Sequence, residues 1–312
     1  MNEQELCEYF KENGNGNYNS IDVIDNQVRV SLNKNQADYW KDYAKKMLKE
    51  QETILTNVSP KYKASYNDLY DVINVYYDTM ISFKNSFNYV GKAAIYCAMY
   101  QLFDGKEDYS LSLNVYNIDT GKIVASGNLK QDNISYDDAE WKQSYILNSE
   151  EATKLTSSYN SSDIIKIKSN FTDGMSVIHI LQSSAGNDYQ YMYLDENDTV
   201  FLNISDSQKD NMINKMNKYL SSIKKQFENL GNGYEISYNS DFSKIDYKFD
   251  KNLSKQEQSN YFICVETIGM INQLLKGNGS DYYIELNIYN SATNELISSG
   301  NTNNGITWNI GE

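Results

Sequence analysis

The sequence is poor in the residues on which most enzyme and metal chemistry depends. Of its 312 residues only His179 is a histidine, and only Cys7, Cys97 and Cys264 are cysteines. A Ser/His/Asp or Cys/His triad would have to use His179. That residue sits in the aliphatic run Val177-Ile178-His179-Ile180-Leu181, the setting of a surface or structural histidine. Zinc needs about three or four Cys, His or acidic ligands together, and no such cluster is spaced along the chain, so no metal is expected. Three cysteines at unrelated positions make neither a disulfide framework nor a metal motif. Cys97 and Cys264 read instead as small buried groups within apolar helices. There is no GxxxxGK[ST] loop and no GxGxxG after a strand. Asn13-Gly14-Asn15-Gly16 reads as a turn at the end of a short helix. No cofactor is implied.

Other scarcities concern origin and location. Proline and arginine occur once each, at Pro60 and Arg29, against 40 asparagines and 28 tyrosines. Asn, Lys, Ile and Tyr have A+T-rich codons, so this skew points to an A+T-rich bacterial or phage genome before it points to any function. No run approaches the roughly 18 apolar residues needed to cross a bilayer. The first residues, Met1-Asn2-Glu3-Gln4-Glu5, are acidic without an apolar core, so no signal peptide is predicted. The chain is then either cytoplasmic or an exported protein whose signal has been removed. Basic residues are outnumbered 28 to 42, for a net charge of −14, which argues against nucleic acid as a partner. The pairs Lys45-Lys46 and Lys224-Lys225 fall on the polar sides of amphipathic helices.

What the sequence does contain is itself, twice. Asp108-Tyr109-Ser110-Leu111-Ser112-Leu113-Asn114-Val115-Tyr116-Asn117 returns as Asp281-Tyr282-Tyr283-Ile284-Glu285-Leu286-Asn287-Ile288-Tyr289-Asn290. Gln101-Leu102 matches Gln273-Leu274, Val28 and Leu32 match Val200 and Ile204, and Leu6 and Phe10 match Val177 and Leu181. The offset stays near about 171–173 residues, the mark of a duplicated domain. The expected organisation is a first copy at 1–136, a linker at 137–171 with a short helix (carrying Trp141 and Tyr145) and a strand at Ile164–Lys168, and a second copy at 172–312.

Within each copy the hydrophobic period alternates between 3.6 and 2 and gives the order α-β-β-α-β-β-α-β-β. Trp40, Ala44, Met47, Leu48, Leu55 and Val58 mark the apolar stripe of one helix, with Met212, Met216, Leu220, Ile223, Phe227 and Leu230 as its counterpart. Asn35 and Ser207 are placed to cap them, followed by Asp38 and Asp210. Helices near Lys84–Phe103 and Glu257–Leu275 are apolar on most sides and expected to be buried. The fold class expected is α+β, two duplicated domains, each an antiparallel sheet packed against helices.

Site candidates are few. The matched carboxylates Asp38/Asp210 and Asp78/Asp250 are explained by helix capping. Asp195-Glu196-Asn197-Asp198 resembles a fragment of a calcium loop but lacks EF-hand spacing, and a hairpin turn is the stronger reading. What remains is tyrosine and asparagine at matched places on the last hairpins: Tyr109, Asn114 and Tyr116, and Tyr282, Asn287 and Tyr289. An open Tyr/Asn/Ser face has the composition of adaptable protein-binding surfaces, although tyrosine also has a high strand propensity.

The segment Ala98-Met99-Tyr100-Gln101-Leu102-Phe103-Asp104-Gly105, followed by Leu113–Ile118 and the turn Asp119-Thr120-Gly121-Lys122, resembles modules of uncharacterised surface lipoproteins of A+T-rich Gram-positive bacteria. The likeness covers about a third of each copy. It implies export and tethering through a lipid anchor, and it brings no catalytic residues. The reading that results is a non-enzymatic binding protein of the bacterial envelope with a protein partner. The alternative is a cytoplasmic or phage-encoded acidic inhibitor or immunity protein, for which a charge of −14 suits a basic target. The sequence leaves the oligomeric state open.

Overall fold

The computed structural model describes residues 3–78, 87–131, 134, 138–159, 163–186, 188–250, 252–277 and 281–303. The chain divides into two compact units, Met1–Ser144 and Tyr145–Glu312, and its class is α+β.

The first unit runs α1 (Glu3–Asn13), β1 (Ser20–Ile24), β2 (Gln27–Ser31), α2 (Lys34–Val58), β3 (Lys63–Tyr66), β4 (Val72–Tyr77), α3 (Phe87–Phe103), β5 (Ser112–Asn117) and β6 (Ile123–Asn128), and α4 (Asp138–Tyr145) ends at its boundary. The second runs α5 (Ser149–Thr156), β7 (Ile164–Ile167), α6 (Gly174–Ala185), β8 (Tyr191–Leu194), β9 (Val200–Asn203), α7 (Asp206–Glu228), β10 (Glu235–Tyr238), β11 (Lys244–Phe249), α8 (Lys255–Leu275), β12 (Glu285–Asn290) and β13 (Leu296–Asn301). From α1 to β6 and from α6 to β13 the order is the one expected from the hydrophobic periods.

Each unit has a four-stranded sheet, β3-β4-β5-β6 in one and β10-β11-β12-β13 in the other. The outer pairs are antiparallel, but β4–β5 and β11–β12 are parallel. The sheets are therefore mixed, not purely antiparallel. The cause is the long helix between those strands, which carries the chain back to the end of the sheet where the previous strand began, so the next strand runs the same way. Both sheets slip register at the same place in the last hairpin, between Val115 and Tyr116 and between Ile288 and Tyr289. Both also use a left-handed residue in the β3–β4 and β10–β11 turns, Tyr70 at φ 53° and Phe242 at φ 57°.

The inner faces follow the expected alternation. Ile73, Val75 and Tyr77 are fully buried, as are Ile245, Tyr247 and Phe249. α2 buries Trp40, Ala44, Leu48 and Leu55, and α7 buries Met212, Met216, Leu220, Ile223 and Phe227. Val58 and Leu230, at the ends of those stripes, are exposed. Trp40 anchors the first core: Phe10 meets it edge-on at 5.0 Å and Phe103 stacks on it at 5.8 Å. The helix starts lie two residues earlier than expected. Asn33 and Ser205 are the N-caps, and in both the cap's own N–H donates to the Gln36 or Gln208 side chain three residues on. Asp38 and Asp210 thus sit inside the helices and do not cap.

Two buried glutamines fix the start of the parallel strands. Gln101 Nε2 donates to the Tyr70 and Ser110 carbonyls, and its Oε1 accepts from Ser110 N–H. Gln273 does the same with the Tyr283 carbonyl and N–H. A second matched pair closes the other end: Tyr62 donates to Asp78 at 2.5 Å and Tyr234 to Asp250 at 2.6 Å. No helix among the described residues is long and apolar enough to cross a membrane.

Candidate functional site

The two units differ most in how their first hairpins are dressed. In the second unit β8 and β9 are almost wholly buried. The segment expected as a linker does this. β7 pairs with β9, placing Ile165 beside Leu202 and Ile167 beside Val200, and it packs against α8. Leu147, Ala152 and Leu155 cluster on Tyr191, Tyr193 and Phe201, so α5 covers the hairpin's outer face. In the first unit β1 and β2 form a two-stranded sheet with no third strand among the described residues, and most of their residues are exposed or half-buried.

Beside β2 lies an apolar groove of about 680 Å³. Val28, Val30 and Leu32 line it from β2, α3 supplies Ala94, Ile95, Ala98, Met99 and Leu102, and Tyr109 and Lys130 also line it. Ile95 is 40 % and Leu102 43 % exposed, although the sequence pattern had placed this helix in the core. The matched positions of α8, Thr267 and Leu274, are 0 % and 4 % exposed. An apolar helix with an uncovered stripe is a binding surface or a liability.

The tyrosines and asparagines expected at the site divide into two groups. Asn114 and Tyr116 do share the outer sheet face, in cross-strand rows Ser65–Asn74–Asn114–Ser126 and Lys63–Tyr76–Tyr116–Ile123. Asn114 donates to Asn74, Tyr116 stacks on Tyr76 with ring centres 4.7 Å apart, and Lys63 lies over Tyr76. Asn287 is buried and donates to Asp246 and Glu285. Tyr289 lines a small polar depression with Glu235 and Lys248. Tyr109 and Tyr282 precede their strands instead of lying on the hairpins. Tyr109 shares the parity of the core residues Leu111 and Leu113, and Tyr282 that of Ile284 and Leu286, so both fall on the helix side. Tyr109 lines the groove with Lys130 stacked over its ring at 4.8 Å. Tyr282 accepts a hydrogen bond from Asn170 N–H at 3.0 Å and meets Phe171 edge-on.

The other titratable groups singled out in the sequence lie apart, each in its own local setting. Asp78 and Asp250 are each held by a tyrosine, and Asp250 accepts Asn252 N–H; the cap of α8 is Ser254, not Asp250. Asp195 and Asp198 belong to the β8–β9 turn, where Asp195 accepts from Asn197 and Thr199, and Asp198 accepts Gly174 N–H at the start of α6. His179 is exposed on α6. Burial pushes the Cys97 thiol up to about 12 and the Cys264 thiol, which is only partly buried, to about 11. No group of three or more His, Cys, Asp and Glu side chains converges among the described residues.

Sequence reasoning passed over Glu266. It is 2 % exposed on α8, and burial raises its carboxyl to about 8, with Tyr247 donating to it at 3.5 Å. The signal was available: a single carboxylate within Phe262–Leu275, an otherwise apolar or neutral run. Its counterpart by the internal offset is Ala94 in the groove. No family model matches the chain, and neither curated proteins nor solved structures show a match.

Proposed function

We propose that the chain is a non-enzymatic binding protein built from a duplicated domain, and that the first unit takes an apolar group of a protein partner in the groove between β2 and α3. The observation that carries this reading is the uncovered stripe Ile95–Leu102 on a helix whose counterpart in the second unit is sealed. A concave, mostly apolar site with a few polar groups is the usual form of a ligand site. The outer sheet face with Asn114, Tyr116, Asn287 and Tyr289 is the secondary surface in this proposal, and Tyr109 belongs to the groove. A location at the bacterial envelope, with a lipid anchor, is part of the same proposal and rests on the resemblance to surface lipoproteins.

The test is binding of an apolar fluorescent probe to the whole chain. Wild type is expected to give a saturable signal, reduced at least about tenfold in affinity by Ile95→Asp or Leu102→Asp. Both positions are substantially exposed, so the variants should keep the fold, checked by circular dichroism. Equal binding by all three proteins would remove the groove from the proposal.

The net charge of −14 favours a second reading, an acidic inhibitor of a basic protein. Salt separates the two: contact in the apolar groove should survive about 0.5 M salt, where the Debye length is only a few ångströms, and a charge-driven complex should not.

A further inference from the structure

The second unit contains a bound example of what the first unit leaves open. β9 corresponds to β2, with Val200 and Leu202 at the places of Val28 and Val30. The hairpins share even their irregularity, since Asn19 N–H donates to the Ser31 carbonyl as Gln190 N–H does to that of Asn203. Against β9 lies β7, antiparallel, with Ile165 opposite Leu202, Ile167 opposite Val200, and the Asp163 carbonyl accepting Ile204 N–H. The chain then passes Tyr282, which accepts Asn170 N–H. The first unit has every receiving part and no strand among the described residues: the β2 edge, the apolar floor, and Tyr109 in the place of Tyr282.

The β2 edge is also correctly presented. Asp25 and Asn26 both have positive φ, 52° and 57°, so the β1–β2 turn is a two-residue type I′ turn and Ile24–Gln27 is the first hydrogen-bonded pair. Antiparallel ladders alternate. Val28 and Val30 therefore face a non-bonded position of the hairpin and aim their N–H and C=O groups at the edge that no described strand covers. In the second unit the matching residues Val200 and Leu202 face β7.

We propose that the first unit binds an extended segment of a separate polypeptide by strand addition. This segment runs antiparallel to β2 and carries aliphatic side chains at two alternate positions, as Ile165 and Ile167 do in β7. It rests on the proposed apolar groove and names its occupant. Main-chain bonds to Val28 and Val30 supply register, and Ile95 and Leu102 supply pockets for the aliphatic side chains, the usual division of labour in strand addition. The segment leaves the groove past Tyr109 and Lys130.

The experiment uses the full chain and a labelled peptide of the sequence 163–172, with a second peptide bearing Asp at the positions of Ile165 and Ile167. Saturable binding of the first and not the second is expected. New exchange protection should appear at the Val28 and Val30 amides. Val30→Pro removes an edge N–H that the hairpin ladder does not use and should weaken the peptide at least about tenfold; because Val30 also lines the groove, a peptide N-methylated at the Ile165 and Ile167 nitrogens, which keeps both aliphatic side chains and loses only main-chain donors, should weaken by a similar factor on the unaltered chain. Peptide binding unchanged by Val30→Pro, or protection confined to Val200 and Leu202, overturns the proposal. A dimer of the whole chain that Val30→Pro converts to monomer would make the occupant a second copy and overturn the assignment to a separate partner. If the probe binds and the peptide does not, strand addition fails and the apolar groove stands. If neither binds, both fail.

Discussion

Replacing Glu266 by glutamine is expected to stabilise the protein at alkaline pH and to change little at acid pH. The carboxyl is raised from 4.5 to about 8 because burial disfavours its charged form. Between those values the native state holds a proton that the unfolded chain has lost. Stability from this group is therefore complete below about pH 4.5, falls as pH rises toward 8, and is flat beyond. A difference of that size is worth about 5 kcal/mol at roughly 1.4 kcal/mol per pKa unit. Glutamine keeps the shape and the acceptor for the Tyr247 hydroxyl but carries no charge. Calorimetry of wild type and Glu266→Gln at pH 5, 7 and 9 isolates the effect, because every other titrating group is common to both. The variant's advantage should grow from near zero at pH 5 to about 10–20 °C in the affected transition at pH 9, using roughly 2–4 °C per kcal/mol for a unit of this size. A constant difference across the three pH values would refute the claim that this carboxyl is sealed and neutral in the folded state.

Two further outcomes follow from buried groups. Gln101→Leu leaves two carbonyls and one N–H without their partner and should cost about 2–3 kcal/mol; Gln273→Leu strands one carbonyl and one N–H and should cost less. Denaturant titrations in which the order is reversed would contradict the clamp as described. Cys97, fully buried with its thiol near 12, is only about one part in ten thousand thiolate at pH 8 by that value, so a thiol reagent should label it only on unfolding. Prompt modification in the native protein, located by mass spectrometry, would show that α3 opens.

Much of the architecture could be read from the residues, and the failures have identifiable causes. The switches of period that marked the stripe Trp40–Leu55 as helix and set it off from its neighbouring strands are local, and each unit's element order followed from them. The parallel sense of β4–β5 was hidden. Strand alternation at Leu113 and Val115 is the same whichever way the neighbour runs, and only the intervening helix decides. The helix starts were misplaced because Leu32-Asn33-Lys34-Asn35-Gln36 offers two asparagines, and only Asn33 has a glutamine three residues on. Tyr109 was assigned to the open face although its parity with Leu111 already placed it on the helix side. The groove was invisible for a different reason. Val28, Val30 and Leu32 read like Val200, Leu202 and Ile204, and the half-burial of one set against the full burial of the other goes with β7, which pairs with β9 more than 30 residues along the chain.

The parallel pair at the centre of each sheet also governs how the sheet can assemble. β3–β4 and β5–β6 are hairpins that close over short turns, so each can pair early and locally. Joining them requires β4 to find β5 across the whole of α3, and Val72 pairs with a residue 40 positions away, Ser112. Closing such a loop is paid in chain entropy before any contact rewards it. Folding of each unit is thus expected to wait on a single encounter between two preformed hairpins, with the crossover helix as the tether that sets its rate.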